Sequence, residues 1–113
     1  MGLFDRFKKK EESGPFQFRI EDVFRIKSRG AVVTGRVLVG RVRKGAAVSY
    51  GPGPGEVSFP CVVGDIEMPD PATRKPIHPE EARADGPYQG SCAILVPEHD
   101  AGEFQPGYYL FHE

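Results

Sequence analysis

The length and composition of this chain exclude several classes of protein. At 113 residues it has room for one domain with a single core. Hydrophobic residues make up 39% and charged residues 27%, which excludes bulk disorder, while 14 glycines and 11 prolines without a repeat period argue against a helical protein. No apolar run approaches the roughly 20 residues that a membrane-spanning helix needs, so we expect a cytoplasmic protein without stable membrane insertion.

Charge is distributed unevenly along the chain, although the formal net charge is only −1. Residues 1–50 hold 12 basic and 5 acidic residues, whereas residues 51–113 hold 3 basic and 11 acidic residues. This uneven distribution of charge permits either a basic strip that contacts phosphates or an ordinary solvated surface in which residues of the two halves interleave. The sequence alone leaves both interpretations open.

The first 14 residues form a segment of their own. Leu3, Phe4 and Phe7 have helical spacing and precede three consecutive lysines, a pattern typical of a short amphipathic helix on an anionic membrane or on RNA. The alternative is a flexible, partly helical tail that ends at the first proline. We therefore divide the chain into this segment, residues 1–14, and one domain at residues 15–113.

The period of the apolar residues changes to two at the start of the domain, which predicts a half-buried strand. Asp22 falls on the apolar face of this strand, so we expect a buried carboxylate that needs hydrogen-bond partners. A turn follows in which Gly30 supplies a positive φ angle, and the β-branched residues 31–39 return as the next strand. The apolar face of the first strand consists of Phe16, Phe18, Ile20, Phe24 and Ile26.

Short strands separated by turn residues continue to the end of the chain. Pro60 indicates an edge strand or a bulge, because proline cannot donate to a neighbouring strand. Residues 69–87 contain five prolines, so we expect regular structure to occupy little of this segment. The last strands are predicted at residues 90–96 and 104–112. Many short strands without a long helix predict an all-β fold, either a closed barrel or a sandwich.

A motif in the first two strands resembles a known family. Residues 20–45 read IEDVFRIKSRGAVVTGRVLVGRVRKG, which is similar to the opening of the second domain of elongation factor Tu and related translational GTPases. Shorter matches follow in the runs VGDIEM, ADGPYQG and FQPG. The resemblance implies a closed six-stranded Greek-key-like barrel over residues 15–113, with residues 69–79 as a local elaboration.

The same resemblance implies a ligand site. In elongation factor Tu the residues that match Glu21, Asp22 and Phe24 help to line the pocket for the aminoacylated end of tRNA. This sequence departs from the family after Met68, where proline and aspartate replace a basic pair, and again near Tyr88, where the family has an asparagine. These departures favour a retained barrel with a changed ligand.

The residues needed for GTP hydrolysis are missing from the sequence, and no other motif gives positive evidence of enzymatic activity. Hydrolysis of GTP requires a glycine-rich loop followed by Lys and Ser or Thr, but Ala46 and Ala47 follow the suitably spaced glycines here. The three histidines lie outside metal-ligand spacing, and no serine stands in a nucleophile motif. Cys61 and Cys92 lie in apolar stretches and are expected to be buried, reduced thiols. We predict a protein that is not an enzyme and needs no metal or cofactor.

The sequence therefore predicts a binding module of the translation-factor type that contacts RNA or the ribosome. Basic residues of the first strands and turns would supply the phosphate contacts. The alternative is a protein-interaction or regulatory module that uses residues 69–87, with peripheral membrane attachment through the N-terminal segment. The predicted phosphate contacts are Arg25, Lys27, Arg29, Arg36, Arg41, Arg43 and Lys44.

Overall fold

A computed structural model describes residues 15–26 and 30–112 of the protein. The predicted N-terminal segment, Lys27 and Arg29 lie outside the described residues. Within those ranges the chain forms ten β-strands and two short 3-10 helices, Pro87–Gly90 and Ala101–Glu103, so the predicted all-β class is confirmed. None of the described helices is long and apolar enough to cross a membrane. The strands are β1 (Phe16–Ile26), β2 (Gly30–Val39), β3 (Arg41–Arg43), β4 (Ala47–Gly51), β5 (Phe59–Val62), β6 (Asp65–Pro69), β7 (Pro76–Ile77), β8 (Glu81–Arg83), β9 (Ser91–Val96) and β10 (Tyr109–His112).

Eight of the strands form one antiparallel sheet in the order β5-β4-β10-β1-β2-β9-β6-β7, and β3 pairs with β8 in a separate ribbon. The long β1–β2 hairpin lies at the centre of the sheet and joins β10 on one side to β9 on the other. β5 is an outer strand in this order, which fits Pro60 because an outer strand does not need every amide. The strand order runs open from β5 to β7, so the closed six-stranded barrel stays a prediction.

The core is built from alternate residues of these strands. Phe16, Phe18 and Ile20 of β1 are at most 1% exposed, as their spacing predicted. Tyr50 joins the core to the loop before β10, because its hydroxyl accepts a hydrogen bond of 2.7 Å from the amide of Gln105. Other fully buried side chains are Val33, Val37, Val42, Val63, Ile66, Ile94, Val96 and Leu110, and both cysteines, Cys61 and Cys92, are buried and free of a disulfide.

The second half of β1 differs from the sequence-based prediction. The register of β1 against β2 shifts between Ile20 and Asp22, so one extra residue bulges from β1. Because side chains alternate between the two faces, this insertion moves the following residues to the opposite face. Phe24 is 53% and Ile26 38% exposed, and Asp22 is exposed as well. The predicted burial of these three side chains is therefore wrong.

The proline-rich segment 69–87 folds back on the rest of the protein at two places. As predicted, regular structure occupies little of it, since β7 and β8 hold 2 and 3 residues. Asp70 organises the turn between β6 and β7: its carboxylate accepts a hydrogen bond of 2.8 Å from the amide of Ala72, and its carbonyl accepts one of 2.8 Å from the amide of Arg74. The turn brings His78 back to the start of β6.

Candidate nucleic-acid interface

The bulge places apolar side chains on the outer face of the β1–β2 hairpin. Residues directly opposite each other in an antiparallel pair face the same side of the sheet. Beyond the bulge Phe24 lies opposite Val32 of β2, and Val32 lies opposite Leu95 of β9. Leu95 in turn lies opposite Asp65 of β6. One row of residues across four strands therefore combines an exposed aromatic ring, two aliphatic side chains and a carboxylate.

This row lines an apolar pocket of about 280 Å³, which we call the Phe24 pocket. Phe24, Ile26, Val32 and Leu95 form its apolar part. Asp65, Glu67 and His78 supply polar groups at its wall. An apolar pocket with a few polar groups on one side is the usual form of a small-molecule or base-binding site.

The polar wall of the Phe24 pocket is a connected group of side chains. His78 Nδ1 lies 2.9 Å from Asp65 Oδ2, and His78 Nε2 lies 3.8 Å from Glu67 Oε1. Lys44 Nζ approaches Asp65 Oδ1 to 3.8 Å. The wall thus presents two carboxylate acceptors beside a histidine and a lysine, an arrangement that suits a ligand with hydroxyl or amino groups.

A second pocket of about 390 Å³ adjoins the first, because Glu67 and Ala93 line both. Glu21, the residue that bulges from β1, lines this second pocket together with Ser91, and we call it the Glu21 pocket. Of the three residues assigned to a ligand by resemblance, the structure brings Glu21 and Phe24 to neighbouring pockets. Asp22 is exposed and lies outside both linings.

Cys92 lines the Glu21 pocket, but its sulfur is not an activated nucleophile. Burial raises the pKa of the Cys92 thiol to about 12 and that of the Cys61 thiol to about 11. Both groups are therefore thiols at neutral pH, and the thiolate is the reactive form of cysteine. Among the described residues, no three His, Cys, Asp or Glu side chains form a group that could hold a metal ion.

Three of the basic residues predicted to contact phosphate form ion pairs, in which one acidic partner is exposed and two are partly buried. The closest approaches are 3.5 Å between Arg25 and Asp100, 3.8 Å between Arg41 and Glu81, and 3.8 Å between Lys44 and Asp65. In each pair the basic residue comes from the basic first half of the sequence and the acidic residue from the acidic second half. The folded chain thus interleaves the two halves at these three positions.

Two further predicted basic residues in the described ranges, Arg36 and Arg43, lie elsewhere. Arg43 lies opposite Glu81 in the β3–β8 ribbon. Arg36 is exposed on β2 and lies opposite Arg19 of β1. The structure therefore distributes the predicted contacts over the hairpin, the ribbon and the start of β6 rather than along one continuous strip.

Sequence reasoning missed three residues of this surface. Asp65 lies in the VGDIEM run, but nothing in its spacing pairs it with a histidine 13 positions later. His78 is an isolated histidine among prolines, and only the β6–β7 turn brings it to the pocket. Arg19 alternates with buried residues like any solvated side chain, and only the strand register shows that it faces Arg36.

Comparison with known proteins identifies the fold. No protein-family model matches the sequence. The bacterial selenocysteine-specific elongation factor EF-Sec has a similar structure, with 20% identity and a TM-score of 0.68 over 98% of this chain and 18% of that chain. Translation elongation factor SelB from Methanococcus maripaludis in its apo form is also similar, with 20% identity and a TM-score of 0.66 over 99% of this chain and 23% of that chain. The resemblance inferred from residues 20–45 is thus confirmed for the fold, and this chain spans about a fifth of the length of either factor.

Proposed function

We propose that this chain is a non-enzymatic binding module that holds an unpaired nucleoside of RNA in the Phe24 pocket. The observation that carries the proposal is the bulge, because it turns Phe24 and Ile26 out of the core and over a pocket. Elongation factors share the fold, and the resemblance in residues 20–45 assigns a ligand to this part of the surface. We propose that the ligand of this module is RNA and that the module acts in the cytoplasm.

The chemistry of the pocket fits an unstacked base. Every base has an apolar face that stacks on an aromatic ring, a contact worth ~1–3 kcal/mol per base. Phe24 offers such a ring, and the aliphatic residues beside it exclude water from the rest of the base. The carboxylates of Asp65 and Glu67 accept hydrogen bonds, so they suit the ribose hydroxyls or the amino group of a base.

The basic residues around the pocket supply the proposed phosphate contacts. Arg25 has its acidic partner in an exposed ion pair, and exposed pairs are worth only ~0–1 kcal/mol, whereas the acidic partners of Arg41 and Lys44 are partly buried. A phosphate therefore displaces the acidic partner of Arg25 at little cost. The full proposed set remains Arg25, Lys27, Arg29, Arg36, Arg41, Arg43 and Lys44.

We further propose that the sheet closes into the six-stranded barrel through β5 and β6. The amide of Val63, between these strands, donates a hydrogen bond of 2.9 Å to the carbonyl of Ala46 just before β4. The next amide, that of Gly64, donates one of 2.8 Å to the carbonyl of Leu95 in β9. These bonds support a single bent strand that pairs with β4 in its first part and with β9 in its second.

Fluorescence anisotropy with labelled single-stranded RNA tests the proposed function. Phe24→Ala should weaken binding about 5- to 150-fold, the equivalent of ~1–3 kcal/mol of lost stacking. Val57→Ala is the matched control, because Val57 is 58% exposed and lies away from the pocket. Blunt duplex RNA should bind more weakly than single strands, since its bases are stacked. Wild-type protein that binds no RNA at low salt would refute the proposal, and pull-down of a protein partner would then favour the protein-interaction alternative.

A further inference from the structure

Two arginines face each other at the centre of the outer surface. Arg19 of β1 lies opposite Arg36 of β2. The same row continues to Tyr109 of β10 on one side and to Ser91 of β9 on the other. The neighbours of these residues along each strand, such as Phe18 and Val37, are buried, so the row faces outward. We call Tyr109, Arg19, Arg36 and Ser91 the arginine row.

The arginine row has a charge arrangement that folding alone does not favour. Side chains directly opposite each other on adjacent strands are close neighbours, and two like charges there are destabilising. Within the described residues, neither Arg19 nor Arg36 forms an ion pair or a side-chain hydrogen bond. Glu21, the nearby carboxylate of β1, lies outside ion-pair distance of both guanidinium groups. Arg25, Arg41 and Lys44 differ in this respect, because each has an acidic partner.

We propose that Arg19 and Arg36 together bind a phosphate group, and, resting on the proposed function, that this group belongs to the backbone of the bound RNA. Two guanidinium groups side by side match the charge and the several acceptor oxygens of a phosphate. Tyr109 and Ser91, which both carry hydroxyl groups, lie at the two ends of the row. A bound phosphate offsets the repulsion between the two guanidinium groups.

The position of the arginine row fits a ligand that runs across the pockets. Ser91, at one end of the row, also lines the Glu21 pocket, as does Gly35, the neighbour of Arg36. The Glu21 pocket adjoins the Phe24 pocket through Glu67 and Ala93. A strand of RNA with its base over Phe24 therefore reaches the row along a continuous surface.

Thermal unfolding with inorganic phosphate as the probe tests the site without RNA. Phosphate and chloride are compared at equal ionic strength, with Arg83→Gln as the control, because Arg83 is an exposed arginine paired with Asp85 at 2.9 Å. Phosphate also stabilises proteins generally, and the control measures that effect. We expect phosphate to raise the Tm of the wild type more than that of Arg19→Gln or Arg36→Gln, and Arg83→Gln to respond like the wild type.

The Tm values in chloride add a readout specific to the proposal. Removing one arginine relieves the repulsion, so Arg19→Gln should unfold at the wild-type temperature or above it. Arg19→Gln with a lowered Tm and an unchanged response to phosphate would overturn the site. Equal phosphate responses in all four proteins would overturn it as well.

The salt dependence of RNA binding separates this inference from the proposed function. Each lost phosphate contact should lower the slope of log K against log salt concentration by about one unit. We expect this change for Arg19→Gln and Arg36→Gln, while Phe24→Ala lowers affinity and keeps the slope. If both arginine variants bind RNA with an unchanged slope, the proposed phosphate site at the arginine row is refuted. The proposed base site in the Phe24 pocket would still stand. A phosphate effect on Tm without RNA binding would refute the proposed function and the RNA source, and would retain the phosphate site.

Discussion

The two halves of β1 carry the same spacing of apolar residues but have different surroundings. In the first half Phe16, Phe18 and Ile20 are 0%, 0% and 1% exposed. In the second half Phe24 and Ile26 are 53% and 38% exposed. The first half is paired with both β10 and β2, whereas the second half pairs with β2 alone among the residues that the structure describes.

The difference between the halves comes from one extra residue. The bulge between Ile20 and Asp22 reverses the alternation of side chains, so residues that follow it exchange the inner face for the outer one. The first half therefore contributes to the core, and the second half contributes to the outer surface for which we propose RNA binding. The following predictions separate these two roles, starting from the largest expected effect.

Phe18→Ala should cause the largest loss of stability. Phe18 is fully buried, and replacing a buried phenylalanine by alanine costs ~3–5 kcal/mol through lost burial and a cavity. Urea denaturation measures the change in the free energy of unfolding. A loss below about 1 kcal/mol would mean that the first half of β1 is not part of the core.

Gly30→Val should destabilise the hairpin that carries the second half of β1. Gly30 has φ of 117°, and a Cβ atom there would lie 2.6 Å from the carbonyl oxygen of Val96. The unusual φ angle alone costs ~1–3 kcal/mol for a branched residue. Gly45→Val is the matched control, because Gly45 has φ of 90° with no atom within 4 Å of its Cβ position. Urea denaturation should show a larger decrease in the free energy of unfolding for Gly30→Val than for Gly45→Val. Equal decreases would contradict the predicted clash with Val96.

The first half of β1 should also give the protein a pH dependence through His112. His112 lies opposite Phe16, with ring centroids 5.3 Å apart, and burial lowers the pKa of its imidazole. The folded state therefore favours the neutral imidazole. The contribution of His112 to the free energy of unfolding is fully present above the unfolded pKa of ~6.5. Stability should fall as the pH drops from that value through the lower folded pKa.

His112→Phe tests this pH dependence, because phenylalanine keeps a ring against Phe16 and cannot titrate. Unfolding free energies between about pH 5 and pH 8 should decrease less toward acid in the variant than in the wild type. Parallel pH profiles of the two proteins would show that His112 does not contribute.

Phe24→Ala should have the smallest effect on stability. Its ring is already more than half exposed, and substitutions at such positions usually change the free energy of unfolding by less than about 1 kcal/mol. Urea denaturation of Phe24→Ala beside Phe18→Ala compares the two halves directly. A loss as large as that of Phe18→Ala would contradict the assignment of the second half to the surface.

Local patterns predicted much of the fold. The period of two located β1, the turn residues located Gly30 with its positive φ angle, and Pro60 indicated the outer position of β5. These features depend on neighbours along the chain, so the sequence displays them directly. The bulge at Glu21 is different, because it depends on how β1 pairs with β2. The spacing of residues within β1 does not reveal it.

The candidate site was predictable where the motif covers it and not elsewhere. Glu21 and Phe24 were found through the resemblance in residues 20–45. Asp65 and His78 meet through the β6–β7 turn, and Arg19 meets Arg36 through strand register. Such contacts depend on the folded backbone, so composition and spacing do not reveal them.

The three ion pairs between the sequence halves have a consequence for a protein cut in two. Cleavage within residues 52–55 would leave a first fragment with a net charge of +7 and a second with −8. In the sheet order, β10 of the second fragment lies between β4 and β1 of the first. Neither fragment can complete the core alone, and their opposite charges favour reassembly at low ionic strength. We therefore expect two such fragments to reassemble less readily as the salt concentration rises.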